Sequence, residues 1–212
     1  MFLCQARDKD QHLAFFLALL GQVYIGDNDL SGTIPSLERL TDLQYLDVSV
    51  NKYISGTLPS EIGLLSHLLD LALSSTSFQG TLPSELYGLY QLQDLRLDHC
   101  NFTGTVSPQI SQMVGLQNLI LAGNSFQGEL PTGMGKLTAL INAQLQDNGF
   151  VGAVPEAMCL LKGPNTLKDL VADCAAPTSV TEKVGGPKVA PHLECPDGCC
   201  TSCCDVETKI CS

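Results

Sequence analysis

The chain contains no tryptophan, and only 11 of its 212 residues are lysine or arginine, against 22 acids, for a formal net charge of -11. A surface that binds nucleic-acid phosphates must be cationic, so this balance excludes nucleic acid as a partner class. No apolar run reaches the roughly 20 residues that a membrane-spanning helix needs. The closest, LAFFLALLGQVYIG from Leu13 to Gly26, follows the acid-bearing RDKDQH, and no A-x-A-like cleavage site comes after it. The run is therefore not a convincing signal peptide. Catalytic signatures are lacking as well: there is no HExxH and no nucleophile elbow, and the four histidines (His12, His67, His99, His192) are scattered. The segment TGMGKLT, Thr132 to Thr138, lacks the Gly-Lys-Ser/Thr of a phosphate loop, because Leu137 follows Lys136. The expectation is a protein that is not an enzyme and carries no cofactor.

What the chain does have is repetition. LQYLDVSVNKYISGTLPSEIGLLSH begins at Leu43, and related segments begin at Leu68, Leu92, Leu116 and Leu140, spaced 25, 24, 24 and 24 residues apart. LGQVYIGDNDLSGTIPSLERLTD, from Leu20, matches the same places, and LKDLVADC, Leu167 to Cys174, offers a closing partial strand. The shared pattern, LxxLxLxxNxFxGxLPxxLxxLxx, has a physical reading at each position. The LxL alternation puts two apolar side chains on one face of a short strand. The Asn position holds Asn28, Asn51, Thr76, Cys100, Asn124 and Asn148. A buried polar side chain there must bond the backbone of a neighbouring turn. Cys100 in that column reads as a buried, reduced thiol. Phe78, Phe102, Phe126 and Phe150, preceded by Leu30, should stack as an internal spine. Gly32, Gly56, Gly80, Gly104, Gly128 and Gly152 permit the bend that follows. The repeat at Leu43 carries one extra residue in NKYISG, so Tyr53 or Ile54 must bulge.

This pattern is that of a leucine-rich repeat, and its GxIP-type segment resembles the plant-specific subclass found in receptor ectodomains and secreted inhibitors. The resemblance implies an α/β-type repeat solenoid, right-handed, with a parallel sheet on the concave side and loops or short 3₁₀ turns on the convex side. Three regions are expected: a degenerate N-terminal cap (1–19), the repeats (20–166) and a cysteine-rich C-terminal cap (167–212).

Ten cysteines are present, eight of them between Cys159 and Cys211. Cys159, Cys174, Cys195, Cys199, Cys200, Cys203, Cys204 and Cys211 are the disulfide candidates. Their even number, in a loop-rich segment beyond the decaying repeats, suits a covalent cap, with a Cys159–Cys174 bond as one pairing. The competing readings are a soft-ligand metal cluster, for which Cys200-x-x-Cys203 gives only vicinal, overlapping pairs, and a redox site, for which no strand-helix context is seen. The ending L-x-x-L-V-A-D-C followed by C…CC-T-S-CC resembles that of diatom leucine-rich-repeat proteins. That resemblance implies a secreted or surface-exposed recognition module. The N-terminus departs from it: MFLCQARDKDQHLAFF stands where a longer cap is common.

Solenoids of this kind bind on the concave face. In register, the outward positions there include Tyr45, Asp47, Asp70, Asp94, Arg96, Asp98, His99, Asn118, Asn142 and Gln144, with Ser49, Ser74 and Gln146 beside them. This acidic, polar patch suits a basic or polyhydroxylated ligand. Asn101-Phe102-Thr103 is the one glycosylation sequon. The functional expectation is non-enzymatic recognition of a protein, peptide or polysaccharide outside the cell, with any signalling relayed by a membrane-anchored partner. The alternatives are a structural or adhesion role in a cell covering, and ice binding. The variable column Ala72, Arg96, Ile120, Gln144 speaks against ice binding on this face.

Overall fold

The structure, a computed structural model, describes residues 21–163, 166–173, 193–196 and 199–204. The expected N-terminal cap, Cys4, Cys174, Cys211 and the side chains of Cys203 and Cys204 lie outside the described residues.

Among the described residues, fifteen strands alternate between two sheets. In chain order they are β1 (Gln22–Tyr24), β2 (Ser31–Gly32), β3 (Tyr45–Asp47), β4 (Tyr53–Gly56), β5 (Asp70–Ala72), β6 (Ser77–Gly80), β7 (Asp94–Arg96), β8 (Asn101–Gly104), β9 (Asn118–Ile120), β10 (Ser125–Glu129), β11 (Asn142–Gln144), β12 (Gly149–Ala153), β13 (Asp169–Asp173), β14 (Leu193–Glu194) and β15 (Ser202–Cys204). The odd-numbered strands form one eight-stranded sheet and the even-numbered strands a seven-stranded one, each in sequential order. Every pairing is parallel. The first sheet is the expected concave sheet. The second, formed by the Phe-x-Gly segments just past the ladder position, is not part of the sequence reading. The convex side is closed by 3₁₀ helices at Ser60–Leu64, Ser84–Gly88, Pro108–Gln112 and Thr132–Lys136, and by one helical turn, α1 (Glu156–Cys159). The TGMGKLT segment is one of these convex turns.

The core lies between the sheets and the convex turns. Phe78, Phe102, Phe126 and Phe150 stack in file with centroids 6.2–6.3 Å apart and ring planes within 9°. The first three are fully buried, and each such side chain contributes roughly 2–3 kcal/mol by leaving water. Ile54 takes the same place in the second repeat and is buried. The extra residue is resolved by Tyr53 turning out, 54% exposed, with Lys52 Nζ 4.7 Å from its ring centroid. The bend glycines all have positive φ, from 80° to 107°. At Gly104 a Cβ would also lie 2.7 Å from Thr81 Cγ2, so no side chain fits.

The ladder column behaves as its chemistry predicts. Asn51 Nδ2 donates to Ile25 O and Val48 O, both at 2.9 Å, while Asn51 Oδ1 accepts from Leu30 N. Asn124 and Asn148 repeat this arrangement. Asn28, with no preceding described turn to bind, is exposed and bonds only Ile25 O and Gly26 O. Cys100 is buried with a free thiol.

The C-terminal segment does more than cover the end: it adds β15 to the concave sheet and β14 to the second. Thr201 N donates to Leu170 O at 2.8 Å, and Leu170 N donates to Thr201 Oγ1 at 2.8 Å. Disulfides join Cys159 to Cys199 and Cys195 to Cys200. Cys159 therefore pairs with Cys199, not with Cys174. The described tail segment comes back to the last convex turn, where Cys199 is buried in the core and bonded to Cys159.

Candidate ligand-binding face

The outward side of the concave sheet is built from parallel strands in fixed register, so equivalent residues of successive repeats stand in files. One file runs Tyr45, Asp70, Asp94, Asn118, Asn142, Asp169. The next runs Tyr24, Asp47, Ala72, Arg96, Ile120, Gln144. All eight strand-borne candidates, from Tyr45 to Gln144, are in these files. Asp98 lies just beyond β7. His99 is set apart: it is exposed in a left-handed turn (φ 53°), its ring against Gly123, where an added Cβ would meet Nδ1 at 2.6 Å. The neighbouring Cys100 is buried in the core instead. Asn101 of the sequon is exposed at the start of β8.

The polar groups largely satisfy one another. Asp47 Oδ1 accepts from the Ser49 backbone and hydroxyl. Ser74 Oγ donates to Asp98 Oδ1 at 2.5 Å. Asn118 donates to Asp94, and the side-chain amides of Asn118 and Asn142 are 2.5 Å apart. Arg96 Nη2 reaches across the small Ala72 to Asp70 Oδ2, 2.5 Å away. The second oxygen of Asp70 and Nε of Arg96 have no hydrogen-bond partner among the described residues. Burial raises the Asp70 carboxyl above the usual carboxylate range, and the Arg96 hydrogen bond only partly offsets it. The same bond holds the Arg96 guanidinium above its ordinary value.

Sequence reasoning passed over Tyr24. It is 60% exposed, and its ring centroid is 6.1 Å from that of Tyr45. Its phenol is raised by lost hydration, then by Asp70, Tyr45 and Asp47. Its alignment with Asp47, one repeat on, is the signal that could have found it.

Stacked repeats with an asparagine ladder and a polar parallel face define a leucine-rich-repeat solenoid. Residues 91–113 and 115–137 match the Leucine Rich Repeat family. The ectodomain of the plant membrane receptor kinase GASSHO1/SCHENGEN3 from Arabidopsis thaliana, solved with CASPARIAN STRIP INTEGRITY FACTOR 2, is 31% identical with a TM-score of 0.68, over 73% of this chain and 19% of that one. The BIR3–SERK2 complex from the same plant gives 31% identity and a TM-score of 0.55, over 61% of this chain and 69% of that one. A plant ice-binding protein gives 32% and 0.59, over 65% and 45%. The chain belongs to the plant-type leucine-rich-repeat family. It spans about a fifth of the length of the GASSHO1/SCHENGEN3, RGFR1 and PEPR1 chains. No curated protein sequence matches it. Among the described residues, no helix is long and apolar enough to cross a membrane.

Proposed function

We propose that this chain is a non-enzymatic recognition module that works outside the cell and binds a protein or peptide segment along its concave face. One observation carries the reading: a register-locked row of side chains faces outward along six consecutive strands, and between Asp70 and Asn142 its polar groups are hydrogen-bonded across strands. Such a surface loses little rotamer entropy when a ligand arrives, so affinity comes from preorganisation. Ectodomains solved with peptides among the similar structures support the reading, and the disulfides of the C-terminal segment support an oxidising compartment. The experiment is a binding screen against peptide and glycan arrays, repeated with Asp94→Ala/Asp98→Ala. Loss of binding supports the concave site, and unchanged binding places it elsewhere.

A second reading, ice binding, is favoured by one observation on the other sheet. Exposed Thr33, Thr57, Thr81 and Thr105 follow the bend glycines in file, each methyl within 2.7–3.1 Å of where the next repeat's glycine Cβ would stand. Inhibition of ice recrystallisation that is abolished by Thr57→Lys/Thr81→Lys would favour it. Glu129 and Ala153 break the file at the C-terminal end.

A further inference from the structure

We propose that the N-terminal end of the concave face is a clamp for a lysine or arginine side chain of the bound peptide, built from Tyr24, Tyr45 and Asp47 and bounded by the Asp70–Arg96 pair. The inference rests on the peptide-binding reading above and adds the chemistry of one required ligand residue.

Two independent features meet here. The first is aromatic. Tyr24 and Tyr45, on adjacent strands, hold their rings 6.1 Å apart and 32° from parallel, the larger part of Tyr24 in water. This is the one aromatic pair on that face among the described residues. Exposed tyrosine faces attract cations through the ring quadrupole, arginine and lysine above all.

The second is charge. Among the described strands of the sheet, the outward cation is Arg96, and it is already committed to Asp70. Asp47 stands beside Tyr24 in register. Its Oδ1 is held by Ser49, and among the described residues no cation forms an ion pair with it. Asp94 follows Asp70 in the neighbouring file, so the field beyond the tyrosines stays negative. The phenol of Tyr24 senses this field from both Asp70 and Asp47.

Ala72 separates the two halves of the arrangement. It sits between Asp47 and Arg96 in its file, and its small side chain lets Arg96 fold over to Asp70. The guanidinium thereby makes its direct ion pair with Asp70 and acts on Asp47 only through space. A basic side chain laid on the tyrosines would meet the Asp47 carboxylate at its head, whereas an acidic one would meet like charge.

The test uses the full chain on an array of random 12-residue peptides, at low and at physiological salt. Bound peptides are expected to be enriched in Lys and Arg, with the enrichment weaker at higher salt. Tyr24→Ala and Asp47→Asn should each reduce the affinity of a selected basic peptide roughly tenfold. Tyr24→Phe should keep most of it, because the ring face remains. The convex substitution Tyr90→Ala, at a 57% exposed site, should change nothing. Unfolding midpoints of the variants show that each is folded, and Tyr24→Phe against Tyr24→Ala keeps the comparison meaningful if one of them is not. Peptides bound without basic enrichment, or enrichment that Tyr24→Ala and Asp47→Asn leave intact, would overturn the clamp while the peptide-binding reading stands. An array with no bound peptide, or binding to glycans alone, overturns both.

Discussion

Thr76 and Cys100 are neighbours in the buried ladder, Oγ1 to Sγ 3.3 Å, and both donate to one carbonyl, Leu73 O, at 2.7 and 3.2 Å. Where asparagine fills the column, its carbonyl oxygen also accepts from the spine residue of the preceding repeat, as Asn124 Oδ1 does from Phe102 N at 3.0 Å. Neither a hydroxyl nor a thiol reproduces that two-sided arrangement, because each offers one short arm where the amide offers a donor and an acceptor on opposite sides. Cys100→Asn is therefore expected to stabilise the fold by about 1 kcal/mol. Chemical denaturation of the two proteins side by side reads this directly; a lower midpoint for the variant would show that the column has repacked around sulfur.

The same burial governs reactivity. Desolvation raises the Cys100 thiol above its ordinary range, so the nucleophilic thiolate is scarce at neutral pH. Iodoacetamide should leave Cys100 unmodified in the native protein at pH 7.5 and label it fully in denaturant, as mapped by peptide mass. Rapid native labelling would mean that the ladder opens locally.

The residue before each ladder position adopts a left-handed conformation: Asp27, Val50, Ser75, His99, Gly123 and Asp147 have φ from 53° to 67°. Aspartate and histidine tolerate this region, but a β-branched residue does not. Val50, 50% exposed, gains little from burial in return. Val50→Asn should raise stability by about 1 kcal/mol, visible as a higher melting temperature, with no change in peptide or glycan binding.

Asp70 makes the concave face pH-dependent. Its folded-state carboxyl is raised, by burial first, so folding favours its protonated form. The associated stability is present in full below the ordinary aspartate value and is lost as pH rises through the raised one. In Asp70→Asn this titration is absent. The stability of Asp70→Asn relative to the parent should therefore grow as pH rises above the ordinary aspartate value of about 4, measured by thermal unfolding over a pH series. A constant difference would place Asp70 in a wetter site than the one described.

The Cys159–Cys199 bond spans 40 residues. Closing a loop of that length restricts the unfolded chain by roughly 4 kcal/mol. Cys159→Ser/Cys199→Ser should lose stability of that order, and hydrogen exchange should quicken first in β13, which loses the cover of β15.

Much of this was legible before any coordinates. The 24-residue period placed β1 to β11 of the concave sheet, the ladder, the phenylalanine spine and the bend glycines, because each repeat reuses the same local contacts with the repeat beside it. The second sheet was not legible: its strands are short, and they exist only because neighbouring Phe-x-Gly segments lie in register. The partner of Cys159 was hidden for a related reason, since nothing in the spacing of the tail says which way it returns. Tyr24 was missed because one residue in the first repeat shows no partner until Tyr45 is set beside it.

The sequence by itself determined the solenoid and the inside-or-outside fate of most repeat residues, because periodic apolar spacing dictates burial whatever the ligand. The tertiary structure alone decided which outward charges neutralise one another. Arg96 reaches Asp70 across Ala72, and among the described residues Asp47, beside two tyrosines, has no ion pair, a diagonal relation that depends on strand register and side-chain reach rather than on position along the chain.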